Sequence, residues 1–154
     1  MVVEKILNVK ADVFLDEGVV KANFPRTDVK VAVDGKVLEA FRGLTSWAAF
    51  QVGSKERVEA MLMGDLVLFE EEVNPAISAA LENAIEVTAL HNPFFFDEPR
   101  VYFMHIGGEG DLEALTIGVR RAPEPSGPSE RPVHRRPRSG PWHLRPERHR
   151  WDLT

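Results

Sequence analysis

The chain of 154 residues contains no cysteine, and this absence excludes several kinds of site. Without a thiol there is no disulfide framework, no cysteine nucleophile and no thiolate metal site. No apolar run approaches the roughly 18 residues that a membrane span needs, and Glu4, Lys5 and Lys10 interrupt any signal-peptide segment at the start. As written, the sequence therefore predicts a cytoplasmic protein without a membrane span.

Two common catalytic motifs are also missing. The segment GGEGD at residues 107–111 lacks the lysine and the spacing of a phosphate-binding loop, and no Gly-x-Ser-x-Gly sequence occurs. These absences weaken the case for an enzyme with a phosphate-binding loop and for a hydrolase with a Gly-x-Ser-x-Gly nucleophile. The sequence leaves open whether the protein is an enzyme at all.

Charge and proline divide the chain into two parts. Residues 1–122 carry 12 Lys and Arg against 20 Asp and Glu, whereas residues 123–154 carry 7 against 4 and hold seven of the eleven prolines. The second part has no apolar periodicity, which is typical of disorder. We therefore predict a domain over residues 1–122 and a disordered, Pro/Arg-rich tail over residues 123–154. A shifted reading frame is an alternative origin of this tail.

The first part has the pattern of an α+β domain. Alternating and β-branched segments predict six strands, and a hairpin is expected at Asp34-Gly35. Asn74-Pro75 predicts the start of one helix, while Gly107-Gly108 predicts a turn before a second helix capped by Asp111. The order β-β-β-β-α-β-β-α predicts a largely antiparallel sheet with two helices packed on one face. Phe41, Trp47 and Phe50 are predicted core residues.

Histidine and carboxylate residues near strand ends are the candidates for catalysis or metal binding. Together such side chains can bind a divalent metal or act as an acid/base pair. A symmetric reversal of the chain between Asn92 and Pro99 would place Glu86 opposite His105 and His91 about 17 Å further along the strand. We therefore expect Glu86 and His105 to be the pair in contact, and candidates for catalysis. The metal-ligand candidates are His91, His105, Glu70 and Glu72.

Other readings of these residues stay open. Histidines at strand ends often only make hydrogen bonds, and Glu70 to Glu72 could form a solvated turn before a helix. Arg26 could pair with a buried acid or bind an anion. Neighbouring side chains alternate between faces in an extended segment, so at least one ring of Phe94–Phe96 should be exposed, as in a ligand lid or a subunit contact.

Four segments together resemble the LppY/LpqO domain, a family of unknown function often found in exported lipoproteins. They are FPRTDVKVAVDG, GLTSWAAF, MLMGDLVLFEEEVNPAISAALENAIEVTALHN and FFFDEPRVYFMHIGGEGD, in family order. Members usually read His-Asn-His where this chain has His91-Asn92-Pro93. If that cluster binds a metal, the resemblance implies that one ligand is lost here.

Two function hypotheses follow. The first is a domain that binds a small ligand or a divalent metal, with His91, Asn92 and Phe95 as candidate ligand-binding residues. The alternative is a non-catalytic interaction or assembly module, a homo-oligomer for example, that uses the sheet and the Phe94–Phe96 loop. Nucleic-acid binding is expected, if anywhere, only through the basic tail.

Overall fold

A computed structural model describes residues 1–53 and 58–122. The helices are α1 (Val2–Leu7), α2 (Glu70–Glu82) and α3 (Leu112–Arg121), with a 3-10 turn at Ala40–Arg42. The strands are β1 (Ala11–Phe14), β2 (Val19–Pro25), β3 (Ala32–Val33), β4 (Lys36–Val37), β5 (Thr45–Val52), β6 (Ala60–Phe69), β7 (Glu86–His91), β8 (Asp97–Glu98) and β9 (Val101–Gly110). The predicted disordered tail lies outside the described residues.

Two antiparallel sheets organise the domain. The large sheet has the order β1-β2-β5-β6-β9-β7, and the small sheet has the order β4-β3-β8. The predicted α+β class with a largely antiparallel sheet is confirmed.

The main core lies on the helix-bearing face of the large sheet. Alternate residues of β6, such as Leu62, Leu66 and Leu68, share this core with Met104 and Ile106 of β9, because side chains two apart on a strand lie on one face. All three helices contribute buried residues to the same core: Val3, Leu7, Ala76, Ala80, Leu115 and Val119. The helices and this core thus cover one face of the large sheet.

A smaller apolar cluster lies on the opposite face, near the end of β6. It consists of Val31, Leu44, Val67 and Val101, with Leu38, Phe69, Phe94 and Phe103 packed against it. Strands β3 and β4 of the small sheet are joined by the Asp34-Gly35 hairpin, where φ is 49° and 74° as a two-residue type I′ turn requires. The predicted hairpin is confirmed.

A buried arginine ties the start of α2 to the sheet. Arg26, only 6% exposed, donates to both oxygens of Asp28, both oxygens of Glu72 and the carbonyl oxygen of Val67. Glu72 also accepts a hydrogen bond from the backbone N–H of Phe69, just before the helix. The expected pairing of Arg26 with an acid is confirmed.

Three local predictions about helices and turns were wrong. α2 begins at Glu70 instead of Asn74, because Glu72 satisfies the backbone at the helix start and acidic residues favour the positive end of the helix dipole. Gly107 and Gly108 continue β9, where they pair with β6, instead of forming a turn. The structure also has a third helix, α1, too short for its periodicity to show in the sequence.

The prediction that Phe41 is a core residue was also wrong. Phe41 lies in the 3-10 turn and is 78% exposed, whereas Phe50 is buried as predicted. The strand alternation that buries Phe50 in β5 does not apply in that turn.

Candidate metal or ligand site

The two histidines of the described region lie on the face of the large sheet opposite the helices. His105 pairs with Asp65 of β6 on one side and Ala89 of β7 on the other, and Trp47 of β5 pairs with Asp65. His91 lies two residues beyond Ala89, so the alternation of β7 places it on the same face. We call Asp65, His91 and His105 the histidine site.

The imidazole rings of His91 and His105 are in direct contact. Their Nε2 atoms lie 3.0 Å apart, and the ring centroids are separated by 5.1 Å. The prediction of about 17 Å along the strand was therefore wrong. The loop does not reverse symmetrically, and at its end His91 already pairs with Phe103, diagonal to His105.

The predicted contact between Glu86 and His105 was wrong for the same reason. Glu86 lies opposite Gly107 on the exposed edge strand β7, two residues beyond the position predicted for it. The histidine at 105 instead has an acidic cross-strand neighbour that the prediction did not consider.

That neighbour, Asp65, is a buried carboxylate. It is 8% exposed, and its Oδ1 has no hydrogen-bond partner among the described residues. Burial raises the pKa of Asp65, and the nearby charges of His105 and His91 act in the opposite direction. Asp65 is the functional candidate that the sequence analysis missed. The sequence pattern that could have identified Asp65 is its place as the one charged residue in the strand AMLMGDLVLF.

A chain of aromatic contacts connects the histidine site to the following loop. The ring of Phe103 lies 5.9 Å from the ring of His91 and 6.1 Å from the ring of Phe94. Phe94 in turn packs against the smaller apolar cluster. His91, which is exposed, is therefore supported from one side by partly buried aromatic residues.

Polar contacts fix the same loop at its base. Asp97 accepts hydrogen bonds through Oδ2 from the backbone N–H of Val101 at 2.7 Å and from Nδ2 of Asn92 at 3.0 Å. Asn92 also donates to the carbonyl oxygen of Val101. The candidate ligand-binding residue Asn92 is thus placed beside His91 but is occupied in closing the loop.

The tip of the loop carries exposed aromatic rings, as expected. Phe95 and Phe96 are 85% and 83% exposed, while Phe94 is partly buried. Phe96 has a positive φ of 59°, unusual for a bulky residue, and its carbonyl oxygen accepts a hydrogen bond from the N–H of Asp34.

The remaining metal candidates do not join the histidines. Both carboxylate oxygens of Glu72 accept hydrogen bonds from Arg26. Glu70 is the first residue of α2 and is exposed. Across residues 1–53 and 58–122 no group of three or more His, Asp and Glu side chains is arranged to hold a metal ion. A groove of about 600 Å³ lies elsewhere, lined by Ile6, Ile117, Arg120 and Arg121.

A family profile described as Domain of Unknown Function (DUF1259) matches residues 2–124. The chain belongs to this family. The matched residues include both histidines and all the described strands. No match was found among curated proteins, and none among solved structures. Within the part of the chain that the structure describes, no helix is long and apolar enough to cross a membrane.

Proposed function

We propose that this DUF1259 domain binds a divalent transition-metal ion through His91 and His105. The supporting observation is the 3.0 Å separation of the two Nε2 atoms. With metal–nitrogen bonds of about 2.0–2.1 Å, this separation corresponds to an angle of about 95° at a shared metal, close to octahedral geometry. Two imidazole ligands suit zinc, nickel, cobalt or iron.

A hydrogen bond between the two rings is the competing explanation of this distance. The contact is exposed to solvent, where a hydrogen bond adds little stability because water offers the same partners. Fold stability therefore gives a weak reason for this arrangement, whereas two Nε2 atoms at this spacing suit a shared metal ion.

The site has only two histidines, and we expect its affinity to be modest. We infer that the family is the LppY/LpqO family, whose His-Asn-His segment would supply one more histidine where this chain has Pro93. Proline offers no side-chain lone pair, so water or a small ligand would complete the coordination.

The test is titration of the full chain with Ni²⁺ and Zn²⁺ by calorimetry. Wild type should bind one equivalent more than a variant carrying both His91→Ala and His105→Ala, which keeps the three tail histidines and measures their background. His143→Ala is the matched control and should leave that extra equivalent in place. Equal binding by wild type and the double variant would refute the proposal.

A second function is favoured by the exposed rings of Phe95 and Phe96. Exposed apolar groups on a rigid loop are typical of a contact surface, and the loop is fixed by Asp97 and Asn92. This supports the alternative of a non-catalytic interaction module. It predicts concentration-dependent self-association in sedimentation experiments.

A further inference from the structure

We propose that Asp65 provides the negative charge that a cation at the histidine site requires, and that the occupant is therefore a metal cation and not an anion. This inference rests on the proposed function and deepens it. It assigns a role to a residue that need not itself coordinate the metal.

The first argument is position. Asp65 and His105 are direct cross-strand neighbours on β6 and β9, and their strands alternate so that both side chains lie on the same face as His91. Neighbouring strands lie about 4.8 Å apart. The carboxylate is thus held on a central strand, next to the ring that contacts His91.

The second argument is the lack of a partner. Asp65 is 92% buried, its Oδ1 has no hydrogen bond, and no Lys or Arg of the described residues forms an ion pair with it. Lys21 lies over the ring of Trp47, the cross-strand neighbour of Asp65, with its Nζ 4.3 Å from the ring centroid. It makes this cation–π contact and no ion pair with Asp65. A buried carboxylate with one oxygen that lacks a hydrogen bond and with no Lys or Arg partner is unfavourable for the fold, so a function that needs negative charge explains it better.

The third argument concerns the class of ligand. An anion bound between His91 and His105 would be repelled by the negative charge of Asp65, the cross-strand neighbour of His105. A divalent cation bound by two neutral imidazoles gains the attraction of the same carboxylate. Carboxylates that support metal-binding histidines from outside the coordination shell commonly change metal affinity by about 10- to 100-fold.

The experiment compares Asp65→Asn with Asp111→Asn in the full chain. Both remove one negative charge and keep the shape of the side chain, but Asp111 caps α3, where asparagine is an equally good cap. Ni²⁺ affinity, corrected for the background of the double histidine variant, should fall by about 10- to 100-fold for Asp65→Asn. It should change by less than about twofold for Asp111→Asn.

A second readout separates a charge role from a structural one. Without metal, Asp65→Asn should melt at or above the temperature of wild type, because an unpaired buried charge is removed. If Asp65→Asn does not fold, Asp65→Ser is used in the same comparison. Phosphate should not compete with Ni²⁺ at the histidine site.

The outcomes distinguish the two proposals. If Asp65→Asn binds Ni²⁺ within twofold of wild type while the double histidine variant does not, the role of Asp65 is refuted and the metal site stands. Competition by phosphate would refute the cation preference. If wild type shows no binding above the background, the proposed function fails and this inference fails with it.

Discussion

Replacing Arg26 with alanine should destabilise the domain more than any other single change to an arginine of the described region. Arg26 makes five hydrogen bonds to Asp28, Glu72 and the carbonyl oxygen of Val67, at distances from 2.9 to 3.2 Å. Its removal leaves Glu72, whose side chain is 16% exposed, as a carboxylate without its cation. Breaking a buried ion pair in this way costs about 3–5 kcal/mol.

The assay for Arg26→Ala is urea unfolding at neutral pH. Arg26→Lys should lie between alanine and wild type, because an ammonium group cannot contact both carboxylates in the bidentate manner of a guanidinium. Arg42→Ala, at an exposed arginine, is the control and should change the free energy of unfolding by less than about 0.5 kcal/mol. A loss below about 1 kcal/mol for Arg26→Ala would show that the buried ion pair is not what holds α2 on the sheet.

Three further predictions concern acid stability, the aromatic loop and the missing family histidine. Burial alone would raise the pKa of Asp28, but hydrogen bonds from Arg26 hold it below its ordinary value of 3.8. Wild type should therefore be more stable than Asp28→Asn above about pH 4, and urea unfolding should show this difference vanish as the pH falls through the lowered pKa; a constant difference would contradict it. Phe95→Ala should leave stability nearly unchanged and reduce self-association in sedimentation experiments, whereas Phe94→Ala should destabilise the domain; equal destabilisation would show that the loop is simply core. Pro93→His should raise Ni²⁺ affinity by more than about tenfold in calorimetry, and an unchanged affinity would mean that the family histidine is not a ligand.

The main sheet could be predicted from the sequence because its central strands have a clear pattern. In β5 every second residue from Ser46 to Phe50 is buried, and this alternation indicates the face that packs on the core, whereas β6 is apolar on both faces apart from Asp65. The acidic start of α2 was harder to predict. Glu72 stabilises that start through Arg26, which is 46 residues away in the chain.

The candidate site was predicted only in part, because register depends on the loop between two strands. Both histidines were identified by residue type, but their contact depends on an asymmetric loop that includes the β8 strand and pairs His91 with Phe103. Asp97 fixes that loop through the N–H of Val101, a contact that no local sequence pattern indicates. Asp65 was missed because a carboxylate inside an apolar strand matters only once its neighbour across the sheet is known.

Anomalous diffraction from crystals of the full chain soaked in Ni²⁺ tests the central claim most directly. The account predicts a nickel peak within about 2.0–2.3 Å of Nε2 of both His91 and His105, beside Asp65. The peak should be absent from crystals of the double histidine variant. A nickel peak bound elsewhere, with the two Nε2 atoms still in contact at 3.0 Å, would contradict it.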